Sequence, residues 1–482
     1  MKTKLKDNSI FRWTIIPICI ALCLFGRFIP SFGGLNSDAM GVIFIFLGTL
    51  ILWLTIGIDW PSLLCIFSLG LLDNIGFNKV FTTSFGNSTF IFLLFTFVCT
   101  YALSKTSLIR RITIGFINIK LAKKGGFYFI TLFLSAILFL GLFISPSVLF
   151  VVALPILNEI FKISNIDKED KVAKVLMIGL GFSVSISSGM TPIAHVFPIL
   201  AMNAANISVS PLLYMAFAIP AGLIVFILML LMFKIYLKKD YQKLKNIDVN
   251  DLKKDLGKVD KKDIITLIIF IIVILLWILP SIFKNLSLDF YNAINKYGTA
   301  MPPLLGTLAL AIIRVNKEPL VKIDDAFKNG IPWGSLVMCA GTLALGSALT
   351  NAAIGIKAFL ETYLGSSLSN LPAVLLLIIF ITWAAIQTNL SSNMVTATLV
   401  ATVASSILVS ITSGLNLEVV ICLIGMMASF AFATPPSMPH IAIVAGSECA
   451  NTKDVLIFGS ILMIISIVVT LLIGYPLGVL VL

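Results

Sequence analysis

The segment MTPIAHVFPI (residues 190–199) sets a Thr-Pro pair inside an apolar run, with a second proline and one of the chain's two histidines close behind. TPPSMPHIAIV (434–444) repeats the arrangement and carries the other histidine. A proline within a helix removes a backbone hydrogen bond and pushes the residue before it out of helical geometry. Each stretch therefore predicts a helix that stops and restarts inside an oily surrounding. At membrane depth, such backbone is tolerated only where protein buries it or a wet cavity receives it.

The surrounding is indeed membrane-like. Of 482 residues, 59% are hydrophobic and 12% charged, against about 25% charged in soluble domains. Many apolar runs approach the ~20 residues that a helix needs to cross a bilayer. The chain reads as an all-α polytopic membrane protein. The N-terminal stretch MKTKLKDNSIFRWTIIPICIALCLF is basic and then apolar over a length that fits a first span rather than a cleaved leader. The net charge of +12 comes from loop lysines, so it needs no nucleic-acid partner. Seven scattered cysteines show no metal-ligand spacing and read as packing residues.

Spans are expected near 11–31, 39–58, 59–76 and 88–104, then a basic segment (Lys105, Arg110, Arg111, Lys120, Lys123, Lys124) without an acid. The block 127–161 breaks at FISPSVLF and reads as a re-entrant hairpin; 173–207 is a broken span, and 212–236 a further one. A Lys/Asp-rich stretch, 237–263, reads as a solvated cytoplasmic linker. Spans at 264–283, 298–314 and 334–352 follow. A second hairpin, 370–412, breaks at QTNLSSNMVT, and a broken span, 416–447, precedes a last one at 455–480. This gives about eleven transmembrane helices plus two re-entrant hairpins. The expected division is scaffold spans at 1–87, a first unit at 88–236, the linker, scaffold spans at 264–333 and a second unit at 334–482. Loops assigned outside (33–38, 73–87, 208–211, 353–369) hold only Lys79 and Lys357 as cations, which places the N-terminus in the cytoplasm and the C-terminus outside.

Both halves run in one order, hairpin and then Thr-Pro break, and an odd number of spans separates them, so they enter from opposite faces. Inverted-topology repeats with discontinuous helices are a layout of secondary transporters, with the solute held at the breaks. Exposed N–H groups and the positive end of a helix favour an anion; helix C-terminal ends and free carbonyls favour a small cation. Mid-span acids, which cation carriers and proton pumps use, are missing; Glu159 and Glu418 lie toward segment ends. An anionic solute and a coupling ion held by neutral oxygens fit this pattern.

These stretches resemble the divalent anion/sodium symporter family, carriers of dicarboxylates, citrate or sulfate. The resemblance rests on Ser145-Pro146-Ser147 with Leu154-Pro155-Ile156, Ser392-Asn393-Met394, Ala433-Thr434-Pro435-Pro436-Ser437, and the runs 85–108 and 331–349. It implies a cell-membrane homodimer with a static scaffold and an elevator-like transport domain, moving a di- or tricarboxylate or a sulfate-like anion with sodium and no cofactor. The solute contacts implied are Ser145, Ser147, Thr191, Pro192, His195, Ser392, Asn393, Thr396, Thr434, Pro435, Pro436 and His440. A second-tip sodium set falls on Thr388, Ser391, Asn393 and Ala433. The first-tip set falls on Gly141, Ser145, Pro146 and Met190, where donors are missing. Met394 also replaces a hydroxyl. A sodium-independent anion exchanger or exporter is the alternative reading. An intramembrane hydrolase has neither a Gly-x-Ser-x-Gly nor a His-Glu-x-x-His motif to support it, and a channel is set apart from a carrier by counterflow.

Cysteines introduced at 145–147 and 392–394 should react with a membrane-impermeant thiol reagent and be shielded by transported anions. Labelling only by lipid-soluble reagents would put the tips on the lipid perimeter and defeat the scheme.

Overall fold

The computed structural model describes residues 9–31, 33–193, 195–244, 259–283, 296–298, 300–349, 351–356, 359, 371–390, 392–410 and 414–482. In order, the helices are α1 (Ser9–Phe25), α2 (Ser37–Thr55), α3 (Asp59–Gly70), α4 (Gly76–Thr83), α5 (Ser88–Ser104), α6 (Leu108–Ile117), α7 (Gly126–Gly141), α8 (Pro146–Ile163), α9 (Lys171–Met190), α10 (Phe197–Ala204) and α11 (Pro211–Leu237). The second half holds α12 (Lys261–Phe283), α13 (Met301–Ile312), α14 (Ile323–Asn329), α15 (Trp333–Leu349), α16 (Ala373–Leu390), α17 (Asn393–Ser410), α18 (Leu417–Ser429), α19 (Pro439–Ala445), α20 (Thr452–Val469) and α21 (Tyr475–Val481). The only strands among the described residues are β1 (Arg314–Val315) and β2 (Glu318–Pro319), a two-stranded antiparallel turn.

Both breaks form where the sequence places them, for the reason it gives. Thr191 is extended (φ −146, ψ 144) ahead of Pro192, and so is Thr434 (φ −131, ψ 147) ahead of Pro435; a following proline disfavours helix at both. The chain resumes as α10 and α19, each with a proline in its first two positions, where the missing N–H costs nothing.

The broken helices form the centre. Helix α9 is 94% buried, and every residue of α18 from Val419 to Ser429 is buried. Peripheral helices instead present Ile227, Leu231, Ile271, Val374, Ile464 and Leu472 outward, as a lipid-facing perimeter requires. Packing is reciprocal. Helix α7 lies along α9, and α16 along α18. Helix α8 meets α19, while α17 meets α10, and α9 and α18 touch each other. Likewise α5 packs on α12 and α13, as α15 packs on α2 and α3. Glycines permit the close crossings: a methyl at Gly181 would come within 2.9 Å of Val444 on α19, and one at Gly425 within 2.6 Å of Pro198 on α10.

Several features depart from the sequence reading. The span expected at 59–76 holds only the 12-residue α3, and that at 298–314 the 12-residue α13; each covers about 18 Å at 1.5 Å per residue. The stretches read as plain loops contain short helices, α4, α6 and α14. Helix α4 meets α5 at a 42° bend, and α14 meets α15 at 77°. Among the described residues, five helices are long and apolar enough to cross a bilayer, or seven spans with each bent pair counted as one. The start of the linker is docked rather than solvated: Leu244 is buried, Tyr241 packs on Phe127 with ring centres 5.9 Å apart, and Gly126 leaves room for the Tyr241 carbonyl. Residues 245–258 of that linker lie outside the described residues. The final span changes to a π-helical turn at Thr470–Gly474, just ahead of Pro476, whose ring cannot join a regular ladder.

Charges gather at helix ends. Arg110 of α6 forks onto Glu159 near the end of α8 at 3.1 and 2.8 Å, and Lys174 of α9 reaches Asp454 of α20 at 2.9 Å. Gly459 of α20 lies against the second break, where a methyl would come within 2.4 Å of both the Ala433 Cα and the Phe432 carbonyl. Gly459→Ala should therefore destabilise the protein by about 1–3 kcal/mol through overpacking against backbone. Gly115→Ala on α6, where a methyl meets nothing within 4 Å, should not. Detergent unfolding curves of the two variants check this.

Candidate functional site

The second break is held open by one side chain that the sequence reading passed over. Asn389, near the end of α16, is 2% exposed. Its Oδ1 accepts the backbone N–H groups of Phe432 (2.9 Å) and Ala433 (2.7 Å). Its Nδ2 donates to the carbonyls of Ala385 (2.8 Å) and Phe430 (3.3 Å). The Thr434 hydroxyl donates back to the Asn389 carbonyl. Next to it, Thr388 Oγ1 donates to the Ala428 carbonyl at 2.7 Å. Peptide groups released by the break are thus satisfied from the hairpin arm, as a buried, low-dielectric location demands.

At the first break the staple runs the other way. Here the break supplies the side chain: His195 Nε2 donates to the Gly141 carbonyl of α7 at 2.8 Å. A carbonyl only accepts, so Nε2 carries the proton, and Nδ1, which has no protein partner, is the acceptor of the neutral ring. His440 is placed differently despite its parallel position in sequence. It packs on the Phe150 ring at 5.8 Å and pairs through Nε2 with Ser185 Oγ at 2.9 Å. Its Nδ1 has no hydrogen-bond partner in the protein.

A cavity of about 330 Å³ lies where both hairpin tips and both breaks converge. The first tip contributes Ser145, Pro146 and Ser147, the first break His195, the second tip Met394, and the second break Met438 and Pro439. The facing wall comes from Phe97 of α5 and from residues 329–332 and Ser335 at the bend between α14 and α15. That wall is braced: Tyr101 donates to Asp325 at 2.9 Å, Asn329 donates to Asp325 at 2.7 Å, and the two bonds hold the Asp325 carboxyl below the usual carboxylate range. Nothing in the spacing of Tyr101, Asp325 and Asn329 marks this wall in the sequence; the run 331–349 hints at it only through the family resemblance.

The expected contact residues divide between this cavity and its supports. Ser145, Ser147 and His195 line it. Thr191 is buried and uses its hydroxyl to accept the Ile193 N–H at 3.1 Å, while Pro192 lines a separate cavity of about 100 Å³ with Thr89 and Asn203. Thr396 turns its hydroxyl onto the Ser392 carbonyl at 3.0 Å. Thr434 and Pro435 form the staple and a short helical turn, Pro435–Ser437, which Pro436 shares. His440 lies among core side chains and is absent from the cavity lining.

The donors read as cation ligands fare unequally. At the second tip, Thr388 is fully buried with its oxygen lone pairs available for a further contact, and Ala433 is buried beside it. Asn393 is 5% exposed, and neither its Oδ1 nor its Nδ2 has a protein partner. A buried amide without partners is costly, so a sodium ion fits here chemically. Ser391 lies outside the described residues. At the first tip the residues do not match that set: the Gly141 carbonyl already accepts from His195, Pro146 brings no side-chain oxygen where the second tip has Asn393, and Met190 packs its side chain onto Gly222.

Asn389→Ala would orphan two buried N–H groups at about 1–3 kcal/mol each. It should lower the unfolding midpoint and abolish sodium-dependent stabilisation of the purified protein, while Asn389→Gln keeps the donors and acceptors but not their reach. Sodium-dependent stabilisation that survives in Asn389→Ala would show that the second break needs no clamp.

Comparison with known proteins bears on the family of the whole chain. Residues 11–482 match the sodium:sulfate symporter transmembrane region. An uncharacterized transporter of Methanocaldococcus jannaschii is 28% identical over 340 residues, 70% of each chain. The sodium-dependent dicarboxylate transporter SdcS of Staphylococcus saprophyticus is 24% identical over 413 residues, 82% of this chain and 77% of that one. An uncharacterized transporter of Schizosaccharomyces pombe is 24% identical over 411 residues, 83% of this chain and 44% of its own length. With a match that runs almost end to end over a helical membrane fold, the chain belongs to the sodium:sulfate symporter family of secondary anion transporters.

Proposed function

We propose that the protein is a sodium-coupled carrier of a small carboxylate- or sulfate-like anion, working by elevator-type alternating access. The carrying observation is the single cavity shared by Ser145, Ser147, His195, Met394 and Met438. Residues more than two hundred positions apart meet there, and the start of α8 brings unpaired N–H groups and the positive helix end to the same place. Exchange of packing partners between α7–α10 and α16–α19 supports two inverted repeats. In the expected division into scaffold (1–87, 264–333) and repeat units (88–236, 334–482), residues 329–332 fall on the scaffold side and both tips, with Phe97 and Ser335, on the repeat-unit side, so that a sliding tip unit would carry the solute past residues 329–332. The assembly is read as a homodimer in the cell membrane, N-terminus in the cytoplasm and C-terminus outside, with the second-tip donors Thr388, Asn393 and Ala433 holding the sodium ion.

The first-tip set favours one competing reading, since its Gly141 carbonyl already accepts a hydrogen bond and Pro146 and Met190 bring no side-chain oxygen: an exchanger that works without sodium. Counterflow in proteoliposomes separates the cases. Internal unlabelled anion should accelerate entry of labelled anion, and replacing sodium with potassium should slow it by about 5–150-fold, the span of a 1–3 kcal/mol coupling. Counterflow that ignores sodium establishes the exchanger; flux without counterflow establishes a channel.

A further inference from the structure

The cavity is chemically lopsided. Its first-tip side offers Ser145 and Ser147 at the start of the 18-residue α8. Ser145 does not cap its own helix with its side chain; Pro146 has no N–H and the Leu149 N–H is paired with the Ser145 carbonyl, which leaves the N–H groups of Ser147 and Val148 for an external acceptor. His195, 3% exposed, adds a ring nitrogen with no protein partner. The residue lines the cavity, while its Nδ1 is itself buried. On the other side stand Met394 and Met438, with Phe97, Ile331, Asn329 and Ser335 on the facing wall. Among the described residues, no Asp, Glu, Lys or Arg lines the cavity.

Resting on the anion-carrier reading above, we infer that this cavity takes a monoanion with an apolar body, and that Met394 excludes a second anionic head. One carboxylate or sulfonate sits against the hydroxyls and N–H groups of the first tip. The rest of the molecule lies against thioether and aromatic surface, to which methionine adapts readily. A second carboxylate in the same pose would face Met394 and Met438, which donate no hydrogen bond, and would lose water without replacement. At the corresponding place on the first tip, Ser147 supplies a hydroxyl. The difference between the tips is therefore one of head-group count, set by one side chain.

Equilibrium binding to the full-length protein in lipid nanodiscs, in saturating sodium, tests this with isocaproate, succinate and sulfate. Isocaproate should bind at least about tenfold more tightly than either dianion, the ratio carried by one lost hydrogen bond to a charged group. Met394→Thr should weaken isocaproate and strengthen succinate, closing that gap. Succinate or sulfate binding as tightly as isocaproate to the unmodified protein overturns the inference, yet leaves the carrier reading intact if counterflow with that dianion persists. An unchanged ranking in a folded Met394→Thr variant overturns the role of Met394. Should that variant fail to fold, the ranking in the unmodified protein and in Met438→Thr decides. Absence of binding and of counterflow for all three anions would bring down both readings together.

Discussion

A residue that precedes proline cannot comfortably stay helical, and in this protein two such residues, Thr191 and Thr434, lie at the buried centre of a membrane-embedded fold. Each break releases peptide N–H and carbonyl groups where little water can reach them. Leaving one unpaired costs on the order of a kilocalorie or more, so the surrounding structure must answer every one or leave it for a solute. The hairpins exist in this setting: α7 and α16 run alongside α9 and α18, α16 delivering partners to the backbone of the second break and α7 receiving the His195 side chain of the first.

The two answers are not equivalent. At the second break Asn389 reaches across from the hairpin arm and satisfies two donors and a carbonyl with one amide. At the first break His195 reaches back and occupies the Gly141 carbonyl. The first arrangement leaves the neighbouring Asn393 amide buried without protein partners, a position that a cation and its shell would complete. The second consumes a carbonyl that a cation would need. Asymmetry between repeats thus arises from which side of the break supplies the staple, even where helix order and packing correspond closely.

Convergence of tips and breaks also fixes what the cavity can discriminate. A helix start with hydroxyls recognises negative charge without specifying the rest of the molecule. Discrimination comes from the other surfaces, which are Met394 and Met438 on one side and the braced bend at 329–332 on the other. Bracing through Tyr101, Asp325 and Asn329 ties that bend to the end of α5, on the same stretch of chain that leads to the first tip.

Much of this was legible in the residue order. Hydropathy defines the membrane class because crossing length is a property of a contiguous run, and Thr-Pro fixes the breaks because the clash with proline is local. The polar tips were visible for the same reason. What could not be read was anything requiring a partner from elsewhere in the chain. Asn389 looks like one more polar residue at a helix end until Phe432 and Ala433 are brought to it. His195 and His440 look alike in sequence, yet one lines the cavity and the other packs on Phe150 and Ser185. The short α3 and α13, and the docking of Tyr241 on Phe127, follow from neighbours that cover what a longer span or a solvated linker would otherwise have covered. By itself the sequence determined where the chain must leave the helix. Tertiary structure alone decided which groups meet the exposed backbone, because a hydrogen bond depends on position in space and not on separation along the chain.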